Sequence, residues 1–233
     1  MSKIKIFLVP YAGASVYVYY SWEKKFPYGY EVCLNELAGR GSRFNEPFYK
    51  SIDQAADELA KKIIENLNEN DEYILFGHSM GATIAYEMYY KLREYGAKMP
   101  KHIFFSGRKP PHTISEKYNI ENMNNDAFLE FVKKFGGLQN EFFDKQVKEL
   151  FLPILREDFK LVDNYIYHPK NCKIDCNVSV LYGKNDKFVS KYELMKWTDV
   201  CENKINFYGY DGGHFFLNNQ SEKIINLIIK EVQ

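Results

Sequence analysis

Tyr73-Ile74-Leu75-Phe76-Gly77-His78-Ser79-Met80-Gly81 is the stretch that decides how this chain folds. The apolar run 73–76 reads as a short buried strand, and residues 80–95 carry helical periodicity up to Gly96, a residue suited to the left-handed closing position of a helix. The pentapeptide between them is G-x-S-x-G. At so sharp a strand-to-helix turn the serine must take up strained dihedrals, and the two glycines remove β-carbons that would strike the neighbouring backbone. The Ser79 hydroxyl is then held out above a sheet edge. A plain turn with Ser79 as helix cap is the simpler reading. Glycine is scarce, 14 of 233 residues, and the motif lies between strand and helix, so a chance match is a poor explanation.

Outward from this turn, apolar strand-like runs at 3–9, 31–37, 102–106, 178–182 and 205–208 alternate with helical stretches at 53–66, 191–198 and 220–232. That is the pattern of a mostly parallel sheet flanked by helices. The alternation fails between about 113 and 170, which reads as a helical lid insertion. There Phe128, Phe131, Val132 and Phe135 recur at helical spacing, with Asn125 or Asp126 to cap the start and Gly136 the end. Val147, Leu150, Phe151, Ile154 and Leu155 share a second face, which Pro153 should kink or divide. These aromatic residues make the insert's own small core or face a site beneath it. No repeat or linker marks a second domain, so residues 1–233 are expected to form one unit.

Serine needs a base that takes its proton and later returns it to the leaving group. Of the five histidines, His78 lies in the turn itself and should project away from the hydroxyl, His102 opens a strand, and His112 and His168 flank the insert. His214, in Asp211-Gly212-Gly213-His214-Phe215-Phe216, follows the last strand in a glycine-rich loop that can deliver a ring to the same edge. The carboxylate that orients it is expected between serine and histidine in chain order. Asp186 leaves the strand at 178–182 on the correct edge, whereas Asp175 and Asp199 fall at the opposite one and Asp211 reads as a turn cap. For the oxyanion of a tetrahedral intermediate the candidate backbone donors are Met80, after the nucleophile, and Ala12, in the small-residue loop 10–15.

Thirty-one basic residues balance thirty-one acidic ones, so no long-range field attracts nucleic acid or an anionic membrane. No apolar run reaches the ~20 residues of a membrane span, and the N-terminal run is broken by Pro10 too early for a secretory signal. A cytoplasmic protein is expected. The four cysteines lack a disulfide framework, and Pro169 and Asn171 interrupt the one metal-like series, His168, Cys172 and Cys176. No metal and no cofactor are expected.

With these residues in place, the chain resembles the type II thioesterases of nonribosomal peptide and polyketide synthesis, which have the α/β-hydrolase fold. The resemblance runs nearly end to end through Pro10-Tyr11-Ala12-Gly13-Ala14-Ser15, Leu37-Ala38-Gly39-Arg40-Gly41-Ser42-Arg43 with Glu46-Pro47, the serine motif, and Phe105-Ser106-Gly107-Arg108. It continues through Leu152-Pro153-Ile154-Leu155-Arg156-Glu157-Asp158-Phe159 and Gly212-Gly213-His214-Phe215-Phe216. Tyr11 stands where that family usually has histidine, and Ala38 where proline is usual. The resemblance implies hydrolysis of acyl groups from the phosphopantetheine arm of an acyl or peptidyl carrier protein; a monomer is expected, and the balanced charge speaks against nucleic-acid or membrane partners. The resemblance also implies an insert that moves to admit the arm. Oxoester hydrolysis by a carboxylesterase or lipase, release of fatty acids from a carrier protein, and an inactive carrier-binding scaffold are the competing expectations.

Overall fold

The computed structural model describes residues 3–113, 117–134, 136 and 145–233. Its six strands are β1 (Ile4–Val9), β2 (Tyr30–Cys33), β3 (Glu72–His78), β4 (His102–Ser106), β5 (Asn177–Gly183) and β6 (Asn206–Tyr210). They form one parallel sheet in the order β2-β1-β3-β4-β5-β6. The central strands are nearly continuously apolar because both faces are covered. In register, β1 places Val9 beside Gly77, and β4 places Ser106 beside His78. All six overlap the runs that read as strands in the sequence. The second is shorter than the run read for it, ending at Cys33, and beyond it Glu36 accepts hydrogen bonds from Val16 N–H at 3.1 Å and Leu37 N–H at 3.0 Å.

Helices lie on both faces: α1 (Tyr20–Glu23), α2 (Ile52–Asn66), α3 (Met80–Glu94), α6 (Lys191–Met195) and α7 (Leu217–Val232). The Ser51 hydroxyl caps α2 by accepting from Gln54 N–H, and the helix buries Ile52, Ala55, Ala56, Leu59, Ala60 and Ile63, a stripe of helical period, with α3 against one face. The other face is covered by α7, through Ile224, Ile225 and Ile228, and by Trp22 of α1. Gly81 lets α3 start directly on the tail of β1, since a Cβ there would lie 2.2 Å from the Val9 carbonyl oxygen.

The segment between β4 and β5 contains, among the described residues, α4 (Asn125–Lys133), α5 (Lys145–Asp163) and no strand. Asn124, one residue before the expected caps, accepts from Ala127 N–H, and Gly136 closes the turn with φ +73°. Phe135 lies outside the described residues, as does the Val147 side chain. Pro153 sits inside α5 without dividing it. The buried face of α5 runs through Leu152, Leu155 and Phe159, whereas Leu150 and Phe151 are exposed. With Ile120, Phe128 and Val132 these residues make a small core separate from the two beside the sheet. No helix of the described residues is long and apolar enough to cross a membrane.

Candidate active site

Ser79 has φ 53° and ψ −114°, a conformation that costs a non-glycine residue about 1–3 kcal/mol and needs surrounding structure to hold it. Two features hold it. The Ser79 N–H donates to the Ser106 carbonyl at 2.8 Å, and the turn is packed so tightly that a Cβ on Gly77 would stand 2.1 Å from the Gly81 carbonyl oxygen. His78 points beneath the turn, as its place predicted. It is fully buried with Nδ1 2.8 Å from Ser106 Oγ, and burial holds its pKa well below that of an ordinary histidine. A neutral, packed ring is thereby a support for the turn.

His214 Nε2 lies 2.9 Å from Ser79 Oγ, and its Nδ1 lies 2.8 Å from Asp186 Oδ2. Three side chains spread over 135 residues of chain therefore meet at the carboxyl ends of β3, β5 and β6. The loops after β5 and β6 are zipped together: Lys184 N–H donates to the Tyr210 carbonyl, and Asn185 N–H to that of Gly212. Gly183 permits this approach, because a Cβ would lie 2.2 Å from the Gly213 carbonyl oxygen. The Asp186 carboxylate is fully buried, and its Oδ1 accepts from Phe188 N–H at 2.9 Å. An acceptor-only carboxylate on Nδ1 places the ring proton there and leaves Nε2 free to accept from the serine hydroxyl. The other aspartates are engaged elsewhere, Asp175 with Arg93 and Asp211 with Lys184. Asp199 pairs at 3.3 Å with His112, and its neighbour Val200 accepts the Ile174 N–H ahead of β5, at the edge away from the serine as expected.

Met80, first residue of α3, has an amide without an intrahelical acceptor. In the facing loop the amides of Ala14 and Gly13 are taken by the Tyr11 carbonyl and the Asp158 carboxylate, while that of Ala12 makes no hydrogen bond among the described residues. The chain thus supplies two uncommitted N–H groups on the elements that flank the serine. Both Ala12 and Ser79 line a cavity of about 1140 Å³ between the sheet edge and the insert. It exceeds the ~300–1,000 Å³ of most small-ligand sites. Leu155 and Phe159 line it from α5, so the insert's aromatic and aliphatic residues serve both its own core and the cavity wall.

What sequence reading missed is the bracing. Arg40, from the Gly-Arg-Gly segment, and Asp158, from α5, form a buried two-pronged ion pair 118 residues apart in sequence, and the same carboxylate accepts the Gly13 amide at 2.7 Å. Both residues lie in segments singled out by resemblance. Nothing in their spacing says that they pair.

Residues 4–232 match the family described as Thioesterase domain. The chain is 30% identical over 237 residues to the linear gramicidin dehydrogenase LgrE of Brevibacillus parabrevis, covering 100% of this chain and 89% of that protein. It is 29% identical to the gramicidin S biosynthesis protein GrsT of Aneurinibacillus migulanus, covering 100% and 90%. Among solved structures it is similar to ClbQ from the colibactin NRPS/PKS pathway, with a TM-score of 0.93 and 27% identity over 99% of this chain and 98% of that one.

Proposed function

This chain belongs to the thioesterase domain family, and from that premise we propose that it hydrolyses acyl groups from the phosphopantetheine arm of carrier proteins in nonribosomal peptide or polyketide synthesis, with Ser79, His214 and Asp186 as its catalytic residues. The observation that carries the proposal is the continuous Asp186–His214–Ser79 hydrogen-bond chain opening on a cavity large enough for an extended substrate. The relatives supply the biosynthetic setting. One of them is named a dehydrogenase, but the family match and a serine poised beside an imidazole favour thioester hydrolysis over redox chemistry.

In the proposed reaction Ser79 Oγ attacks the thioester carbonyl carbon as its proton passes to His214 Nε2. The oxyanion that forms accepts from the amides of Ala12 and Met80, and losing one such donor typically costs ~3 kcal/mol of transition-state stabilisation. Collapse breaks the C–S bond, and the imidazolium returns its proton to the departing sulfur. Water, losing a proton to His214 Nε2, then attacks the acyl-Ser79 ester. The C–O bond breaks, Oγ regains the proton, and the free acid leaves. Throughout, Asp186 keeps the ring in one tautomer and stabilises it when charged. A thioester suits this apparatus, since sulfur stabilises the carbonyl poorly and leaves readily.

A panel of acylated carrier proteins incubated with the parent and with Ser79→Ala, and followed by mass spectrometry, tests the proposal. Loss of the acyl mass with the parent and its retention with the variant is the expected result. Preference for matching oxoesters over thioesters would instead point to a carboxylesterase.

A further inference from the structure

Arg108 is the second residue beyond β4 and lines the cavity that contains Ser79. Its backbone is fixed on both sides. Gly107 precedes it at φ +61°, where a Cβ would come within 2.6 Å of the His78 ring, and its carbonyl accepts the Trp197 indole N–H at 2.9 Å. The side chain crosses to α3, where Nε donates to Thr83 Oγ1 at 3.2 Å. Thr83 lies four residues after Ser79, and helix neighbours at that spacing are roughly 5–6 Å apart. The guanidinium is therefore anchored about one helical turn from the nucleophile.

Nε is its one hydrogen-bonding atom with a partner; among the described residues the two terminal nitrogens of Arg108 make no hydrogen bond or ion pair. The acidic groups nearby are committed to others. Glu87, one turn further along α3, is paired with Lys170 at 2.6 Å and accepts the Tyr165 hydroxyl. Asp163 accepts the amides of Tyr118 and Ile120, and Glu193 is paired with Lys109. Burial draws the Arg108 pKa below its ordinary value, the direction expected of a cation without a counter-ion. Arg108 is half-buried in the cavity wall, so its fork can receive a ligand group there, and the planar group that matches the fork is a carboxylate.

We propose that Arg108 is a specificity-determining residue that binds a carboxylate carried by the acyl group a few bonds from the thioester carbon, so that short dicarboxylic acyl groups are favoured over neutral ones of similar size. The inference rests on the hydrolase reading above for the identity of the occupant.

The test compares kcat/KM for succinyl and pentanoyl N-acetylcysteamine thioesters in the parent, Arg108→Gln and Arg108→Lys. Their ratio cancels any loss of folded enzyme common to both substrates. A charge-assisted hydrogen bond of ordinary strength corresponds to a fall in the succinyl-to-pentanoyl ratio of roughly ten- to a hundred-fold in Arg108→Gln, with an intermediate value for lysine. An unchanged ratio overturns the inference. These thioesters carry no phosphate, so a defect confined to the same acyl groups on phosphopantetheine would assign the guanidinium to the arm and overturn it too. If the parent cleaves neither thioester, the carrier-protein panel decides on the hydrolase reading, and calorimetry still decides on Arg108. Tighter binding of the succinyl than the pentanoyl thioester to Ser79→Ala, lost in Ser79→Ala/Arg108→Gln, supports the inference, and equal binding refutes it.

Discussion

Asp158, on the helix that covers the site, grips the Arg40 guanidinium with both oxygens and with one of them also accepts the Gly13 amide. Both side chains are buried, at 2% and 1% exposure. The contact joins three separate parts of the chain: the insert, the Gly-Arg-Gly segment and the loop that carries Ala12. Removing one partner of a buried pair leaves the other charge stranded, at a typical cost of about 3–5 kcal/mol. Asp158→Ala should therefore lower the urea midpoint sharply. Replacing both, as Arg40→Met with Asp158→Leu, should restore most of the stability, since apolar pairs of similar volume are often neutral substitutes. Activity should stay depressed in the double variant, because Gly13 still lacks its acceptor and the neighbouring Ala12 amide is no longer fixed. Unfolding curves and kcat for the three variants separate bracing from catalysis.

The serine turn has no room for a methyl group. Gly81→Ala would put a carbon 2.2 Å from the Val9 carbonyl oxygen, and backbone on both sides prevents an easy retreat. Overpacking of this kind costs about 1–3 kcal/mol or more. A lowered melting temperature together with a large loss of kcat is expected, because α3 and Ser79 must shift together. Gly96→Ala, where nothing lies within 4 Å of the added carbon but φ is +62°, should lose only the smaller amount due to backbone strain and keep its activity.

The G-x-S-x-G turn, the order of strands and helices and the three members of the hydrogen-bond chain could be read from sequence because each depends on local chemistry. A strand followed by a glycine-flanked serine, a glycine-rich loop after the last strand and an aspartate at the correct strand end are short-range signals. The Arg40–Asp158 pair could not be read, since either residue alone looks like any charged position and only the packing of α5 brings them together. Likewise Leu150 fits the helical period of α5 but faces outward, while Leu152, Leu155 and Phe159 turn inward. Periodicity gives a stripe and not its direction. Arg108 was legible as part of a motif; its unpaired terminal nitrogens were visible only once Glu87, Asp163 and Glu193 were seen to be engaged.

Acid stability should carry the signature of buried histidines. His102, which opens β4, has Nε2 2.9 Å from Ser179 Oγ, and burial pushes its pKa down to about 4 from an ordinary 6.5; His78 is shifted in the same direction. Below pH ~6.5 the unfolded chain binds protons that the folded one refuses, so stability rises with pH in this window. The contribution of His102 is complete above about pH 6.5 and is lost as pH falls toward 4, in total on the order of 3 kcal/mol. The lowered carboxylates Asp71 and Glu193, both near 2, titrate mainly below this range. Urea midpoints between pH 4.5 and 7 should rise with pH in the parent and less steeply in His102→Asn.

The insert is expected to move when it admits the acyl arm. Leu155 of α5 packs so closely over the first loop that a Cβ on Gly13 would stand 2.4 Å from Leu155 Cδ1. Amide exchange in the insert, about residues 113–170, should quicken when a carrier protein bearing a non-hydrolysable acyl arm is added, while β3 and β4 stay protected. Identical exchange with and without the carrier would count against an opening of this element.

The most direct measurement is labelling with a fluorophosphonate, followed by peptide mapping and assay of the labelled protein. One adduct, on Ser79, formed far more slowly in His214→Ala and abolishing thioester hydrolysis in step with its formation, is the predicted result. Reaction at another residue, or hydrolysis that persists when Ser79 is fully modified, would contradict the account.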